Sequence, residues 1–170
     1  MFSKANIENY FNAEKCESLL FIIIGVAAII AALIFFFYIK TSWFKGAAIP
    51  FFVLGIMHLV VGYTVYKRSD SDRIRNVYAY DLNPAELKTK EVPRMEKVNK
   101  NFVVYRYTEI ALLVIGLFLF IYFRNNIDKS FWVGLGLALA IEAAVSLGAD
   151  YFAEKRAKEY TKGLIEFVGK

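Results

Sequence analysis

The fold is decided by residues 19–39, LLFIIIGVAAIIAALIFFFYI, which contain no charged residue. A helix of this length, at about 1.5 Å rise per residue, crosses a hydrocarbon core of about 30 Å. Three more apolar stretches of sufficient length follow at about 46–66, 102–123 and 131–152. The sequence therefore predicts an all-α integral membrane protein, a four-helix bundle built from two up–down transmembrane hairpins with cytoplasmic helical extensions.

Composition supports this class and excludes several kinds of site. The chain has 170 residues, of which 58% are hydrophobic, so four spans use most of it and residues 1–170 are predicted to form a single transmembrane domain. With one Cys and one His, an internal disulfide, a Cys-based metal cluster and a multi-His metal site are all excluded. We therefore expect no metal and no cofactor.

The distribution of basic residues predicts the orientation. Sixteen of the 21 Lys and Arg residues lie before residue 19, in the 67–101 connection or in the 153–170 tail, whereas four lie in the two short turns. Positively charged segments stay inside, so both termini and the connection are predicted to be cytoplasmic. Because the basic residues flank the spans and form no single stripe, the net charge of +5 does not indicate nucleic acid binding.

The N-terminal segment is predicted to contact the membrane surface. Ile7, Tyr10 and Phe11 share one helical face, which favours a short helix lying on the inner leaflet within residues 1–17. Cys16 falls at the membrane edge. We interpret it as a free thiol in a reducing compartment, with acylation as the alternative.

Helical extensions are also predicted beyond the second and fourth spans. Asn83-Pro84 indicates the start of a short helix at about 84–90, and Pro93 indicates the start of the third transmembrane helix. The fourth helix is expected to continue past its span, because an apolar face is maintained. That face comprises Ala153, Ala157, Tyr160 and Leu164.

Two ionisable residues lie near the middle of apolar spans, where charge is costly and needs a reason. His58 and Glu142 are each about 12 residues from the outer end of a span. Two interpretations stay open. The pair forms a buried hydrogen bond that fixes helix register, which we favour, or it relays protons or binds a cation.

Further polar residues lie closer to the inner surface. Arg106 and Glu109 are three residues apart on one helix, so the favoured interpretation is that they satisfy each other. In the alternative, Glu109 points into the bundle and joins a polar track. Glu142, Ser146 and Asp150 follow one stripe of the fourth helix and would form that track.

Small residues predict close packing between helices. They recur every four residues in the fourth helix and share a face with His58 in the second. The predicted packing positions are Gly55, Gly62, Gly136, Ala140, Ala144 and Gly148. The fourth helix is therefore the predicted centre of the bundle or an oligomer contact.

A basic cluster follows the second span at the inner leaflet. It consists of Lys67, Arg68, Arg73 and Arg75. The favoured interpretation is that the cluster determines topology, and the alternative is that it binds anionic lipid headgroups.

The two halves of the chain show weak internal similarity. Each has a Trp at its outer turn, Trp43 or Trp132, and each returning helix ends in Lys-Arg, at Lys67-Arg68 and Lys155-Arg156. The spacings do not match throughout, and short-turn hairpins are alike in any case. Duplication is therefore not the favoured interpretation.

These patterns favour binding over catalysis. The sequence contains no phosphate-binding loop, no dinucleotide fingerprint and no nucleophile elbow, so we expect no enzyme. We expect a non-catalytic interaction or regulatory protein of a bacterial inner membrane, with an archaeal membrane as the alternative. Its expected contacts are membrane lipid and either a membrane-embedded protein partner or further copies of itself.

Two more specific functions remain open. In span count and size the chain resembles small four-span immunity proteins against pore-forming bacterial toxins, and a role as a membrane-complex subunit is related. The alternative is a homo-oligomeric small transporter or a proton or cation channel subunit. It would use His58, Glu109 and Glu142.

Overall fold

The computed structural model describes residues 2–169, and within them it contains helices and short turns but no strand. Its elements are helix α1 (Lys4–Leu33) with a π-helical end (Ile34–Ile39), α2 (Ser42–Leu82), the single turn α3 (Pro84–Glu86) with a π-helical turn (Leu87–Glu91), α4 (Val92–Phe123), a 3₁₀ turn (Ile127–Lys129) and α5 (Ser130–Val168). This confirms the predicted all-α class.

Residues 2–169 contain four continuous helices that are long and apolar enough to cross a membrane, by length and composition. They cover Lys4–Ile39, Ser42–Leu82, Pro84–Phe123 and Ile127–Val168, with 36, 41, 40 and 42 residues. A helix of 40 residues is about 60 Å long, twice the thickness of a hydrocarbon core. About half of each helix therefore extends beyond its apolar stretch.

The helices pack in the order α1, α2, α5, α4. Helix α2 lies between α1 and α5, and α5 lies between α2 and α4, while α4 makes no comparable contact with α1 or α2. Since α2 and α5 each follow a turn at the same end of the molecule, they run parallel. The two hairpins thus lie side by side with their second helices at the centre.

The other end of the molecule is a compact helical head, formed by residues 2–18, 67–101 and 153–169. Its core is built from buried apolar side chains of all four long helices. They are Ile7, Tyr10, Phe11, Ala79, Leu87, Met95, Ala157, Tyr160 and Leu164. The rings of Tyr10 and Tyr160 stack with centroids 4.2 Å apart, which joins α1 directly to α5.

The N-terminal prediction was wrong. Residues 4–33 form one continuous helix, and Ile7 and Phe11 are buried in the head core instead of facing lipid. An apolar helical face can be covered by protein or by a bilayer, and here the ends of α2, α4 and α5 cover it.

The prediction for the 84–93 segment was partly wrong. Pro84 does occupy the first turn of a helix, but the helix continues through Pro93 to Phe123 with only a wider turn at Leu87–Glu91. The predicted extension of the fourth helix is confirmed, since α5 runs to Val168 and buries Ala157 and Leu164.

Candidate functional site

His58 lies between α1 and α5 because glycines bring α1 and α2 close together. A Cβ on Gly25 would lie 2.7 Å from the carbonyl oxygen of Gly55, so the two backbones touch there. The Phe21 ring covers one side of the imidazole, with centroids 5.3 Å apart. The other side of His58 faces α5.

Two polar side chains of α5 meet His58. Its Nε2 lies 3.0 Å from Ser146 Oγ, a hydrogen bond whose donor depends on the imidazole tautomer. Its Nδ1 lies 4.0 Å from Glu142 Oε2. All three residues are buried, with exposed fractions of 9% for His58 and Ser146 and 5% for Glu142. The structure therefore brings the two predicted mid-span residues together and adds Ser146 as a direct partner.

Two atoms of this cluster lack hydrogen bonds. His58 Nδ1 and Glu142 Oε2 are both buried, and neither has a partner among the described residues. Their separation exceeds the 2.7–3.2 Å of a normal hydrogen bond. Buried polar atoms of this kind nearly always have a partner. These two atoms are therefore a candidate pair to share one proton.

One turn further along α5, a second polar group follows. The Glu109 carboxyl lies close enough to that of Asp150 for the two acids to interact, and Glu109 Oε2 is buried with no hydrogen-bond partner in the described chain. Arg106 instead donates to both carboxylate oxygens of Glu154, at 3.2 Å each. The expectation that Arg106 and Glu109 satisfy each other was wrong, because their helix presents them to different residues of α5.

Together these contacts form one polar stripe on α5. Glu142, Ser146, Asp150 and Glu154 recur every four residues, and the stripe runs from the middle of the helix to the head. The sequence revealed the first three members. Glu154 continues the same spacing as a fourth member, and it also pairs with Lys158, 2.6 Å away on the same helix.

The head contains a buried ionic network that the sequence did not reveal. Glu91 is almost fully buried and accepts two hydrogen bonds from the Arg94 guanidinium, at 2.7 and 2.8 Å. The Tyr160 hydroxyl donates to the same carboxylate at 3.2 Å. The available signal was the spacing of Leu87, Glu91 and Met95, which places Glu91 on the apolar face of its helix.

A second buried carboxylate, Glu14, joins α1 to α2. It accepts hydrogen bonds from Ser69 Oγ at 3.1 Å and from Arg68 at 3.3 Å. Burial raises the pKa of Glu14, and the Arg68 guanidinium opposes that shift. Burial also raises the pKa of the Tyr10 and Tyr160 hydroxyls, so both phenols remain neutral.

Some of the predicted packing residues lie in contacts between helices, and others are exposed. Gly55 and Gly62 lie against α1. A Cβ on Gly136 would lie 2.7 Å from the carbonyl oxygen of Gly116. Ala140 is buried at the same contact between α4 and α5. In contrast, Ala144 is exposed and a Cβ on Gly148 would meet nothing within 4 Å.

Most of the basic cluster is paired inside the head. Lys67 is exposed, whereas the three arginines form ion pairs. The pairs are Arg68 with Glu14, Arg73 with Asp70 and Arg75 with Asp72, at 3.3, 3.9 and 2.9 Å. Their charge is therefore partly matched by acids of the same chain.

Two further observations bear on ligands. In residues 2–169, no group of three or more His, Cys, Asp or Glu side chains is placed to hold a metal ion. A cavity of about 240 Å³ opens beside the polar stripe between α4 and α5. Its lining residues are Arg106, Ile110, Leu147, Asp150, Tyr151 and Glu154.

Comparison of the chain with protein-family models, with curated proteins and with solved structures gives no match.

Proposed function

We propose that this chain is a non-catalytic interaction or regulatory protein of the inner (plasma) membrane, with both termini in the cytoplasm. It binds a membrane-embedded protein through the open face of α5. In span count and size it fits a small immunity protein that binds a pore-forming toxin, or a subunit of a membrane complex.

The open face of α5 is the observation that carries this proposal. Although α5 is flanked by α2 and α4, one stripe in the middle of this helix is uncovered. The stripe consists of Ile141, Ala144, Val145, Gly148 and Phe152. It extends over about 16 Å at 1.5 Å per residue, a length that a crossing helix can cover.

The chemistry of this stripe favours a helix over lipid alone. Association in a bilayer relies on close packing, and small residues allow two backbones to approach. At Gly116 and Gly136 the chain already uses this device between α4 and α5. Ala144 and Gly148 repeat the pattern on a face that none of the described helices covers.

The distribution of charge supports the proposed orientation. The head carries most of the Lys and Arg residues, and the two turns at the other end carry four. Because the head also has its own buried core, it would form a defined surface next to the inner leaflet. A membrane partner with an acidic cytoplasmic segment would meet this surface.

The test is native mass spectrometry of the complex extracted in mild detergent. We expect one stoichiometric membrane protein with the wild-type chain, and its loss in Ala144→Phe and Gly148→Phe. The matched control is Val114→Phe, which adds bulk to an exposed position of α4 and should retain the partner. Retention in the α5 variants, or a monomer without partner in the wild type, would contradict the proposal.

A second candidate is a homo-oligomeric small transporter or a proton or cation channel subunit. The buried cluster of His58, Glu142 and Ser146 and the neighbouring Glu109 favour it. It predicts a pH-dependent flux in liposomes that Glu142→Gln abolishes. Liposomes that remain as tight as empty ones under proton and cation gradients would argue against it.

A further inference from the structure

The cluster around His58 is arranged to hold a proton. The Nε2 atom of His58 is hydrogen-bonded to Ser146, and the Nδ1 atom faces Glu142 Oε2 at 4.0 Å. The Glu142 side chain is more than nine-tenths buried, and its Oε2 has no hydrogen-bond partner in the described chain. A displacement of about 1 Å would bring the two atoms to hydrogen-bonding distance.

The number of protons on this pair is restricted by its surroundings. Apolar surroundings disfavour net charge. One shared proton makes the pair neutral overall, whether it leaves two neutral groups or an imidazolium and a carboxylate. From α1, His58 is faced by the uncharged Phe21 and Gly25. Within residues 2–169, Glu142 is the one titratable group recorded against the imidazole.

The next titratable groups lie towards the head. Asp150 is one turn beyond Ser146 on α5, and Glu109 of α4 lies beside it. On the head side, the charges of Glu17 of α1 and Glu154 of α5 act on Asp150. Arg156 pairs with Glu17 and Arg106 pairs with Glu154. Towards the turns, the described part of α5 carries no ionisable residue between Ser130 and Glu142.

We propose that His58 and Glu142 form an intramembrane proton-binding site, positioned by Ser146, which exchanges its proton with the head side through Asp150 and Glu109. The proposal does not depend on a partner of α5, and it requires no flux across the membrane. It assigns His58 and Glu142 as proton-binding groups and Ser146 as a positioning and relay residue.

The transfer involves only O–H and N–H bonds. Asp150 gives a proton to a water molecule, which passes one to Ser146 Oγ. Ser146 gives its own hydroxyl proton to Nε2 of His58, and the Nδ1 proton moves to the Glu142 carboxylate. The Cβ atoms of residues four apart on a helix are about 5–6 Å apart, a gap that one water molecule spans.

The single histidine allows a direct test. Protein labelled with ¹⁵N-histidine gives the signals of one imidazole, and their shifts report the tautomer and protonation. The experiment records these shifts in lipid bilayers between about pH 5 and 9, around the ordinary His pKa. We expect His58 to titrate in the wild type and its proton affinity to fall at least tenfold in Glu142→Gln.

Two variants keep the result interpretable. Glu142→Asp retains a carboxylate and should retain the titration. Glu159→Gln changes an exposed carboxylate on the same helix and should leave the titration unchanged. If His58 remains in one neutral tautomer at every pH, or titrates identically in Glu142→Gln, the pair is only a structural contact and the proposal fails.

The route is tested separately from the site. In sealed liposomes with one orientation, only the pH on the head side is changed, and the His58 signals are followed in time. We expect Asp150→Asn to slow the response at least tenfold while the final protonation changes little. A response of unchanged rate in Asp150→Asn, or one triggered by pH on the opposite side, would overturn the assigned route.

Discussion

Gly46 and Gly134 occupy equivalent positions in two parallel helices, and each lies against a backbone carbonyl of the other hairpin. A Cβ on Gly46 would lie 2.0 Å from the oxygen of Phe131, and a Cβ on Gly134 would lie 1.9 Å from the oxygen of Trp43. Further along the same two helices, His58 is hydrogen-bonded to Ser146. These two residues are 88 positions apart in the sequence, as are Gly46 and Gly134. The two hairpins are thus related by an approximate two-fold axis between α2 and α5.

This relationship predicts a large effect from a single methyl group. Gly46→Ala and Gly134→Ala force the α2 and α5 backbones apart, because the added Cβ overlaps a carbonyl oxygen. Overpacking of this kind costs about 1–3 kcal/mol, and we expect a clear fall in the thermal unfolding temperature in detergent.

Gly148→Ala is the matched control for both glycine variants. A Cβ there meets nothing, and Ala favours helix over Gly by about 1 kcal/mol, so stability should be unchanged or slightly higher. An equal loss of stability in all three variants would show that helix glycines, and not the contact between the hairpins, explain the effect.

Local sequence patterns were sufficient to predict the four long apolar helices and part of the relation between the two hairpins. Residues 19–39 have no charge, so a long buried or membrane helix is the only regular structure that fits them. The Lys-Arg pairs at Lys67 and Lys155 are also 88 residues apart. However, the same offset joins His58 to Ser146, not to Glu142, and only the packed helices reveal that register.

Contacts between helices were not predictable from one helix at a time. Arg106 and Glu109 have a favourable local spacing, but α5 offers Arg106 a closer acid in Glu154. Likewise, the face of Ile7 and Phe11 is apolar, and its pattern alone does not distinguish a lipid surface from the core of the head. Both outcomes depend on the ends of helices that are distant in sequence.

The buried network of the head predicts a strong effect at Arg94. Arg94→Met leaves the Glu91 carboxylate buried without its ionic partner, which costs about 3–5 kcal/mol. Amide hydrogen exchange in the head should become much faster. The double variant Glu91→Gln with Arg94→Met should recover most of the lost protection, because no uncompensated charge remains.

Lys90 provides the control for this network. It pairs with Glu86 at 2.7 Å, but its side chain is 66% exposed. Lys90→Met should cost no more than about 1 kcal/mol, as is usual for surface ion pairs. If Lys90→Met and Arg94→Met are equally harmful, burial of the Glu91 pair is not what stabilises the head.

Glu14 predicts a pH dependence of stability with a definite sign. Burial raises its pKa above the ordinary value of 4.5, so the folded protein binds this proton more tightly than the unfolded chain does. The contribution of Glu14 is fully present below pH 4.5 and is lost as the pH rises to the raised pKa. Glu14→Gln should remove this fall in stability. The measurement is the difference in the free energy of unfolding between variant and wild type across pH.

Glu86→Gln tests the sign of that argument. The hydrogen bond from Lys90 lowers the pKa of Glu86, so its small contribution is present above pH 4.5 and is lost as the pH falls through the lowered pKa. The two variants should therefore change the slope in opposite directions. A Glu14→Gln profile parallel to the wild type would show that this carboxyl is not desolvated by the head.

The orientation can be tested at the single cysteine. Cys16 is exposed near the predicted membrane boundary of α1, on the side where the basic residues accumulate. A membrane-impermeant maleimide should label it in inverted vesicles and not in right-side-out vesicles. Cys16→Ser combined with Asp128→Cys places the thiol in the turn between α4 and α5 and should give the reverse pattern. Labelling of Cys16 from outside would invert the assigned orientation, and the acidic route to His58 would then open to the external compartment.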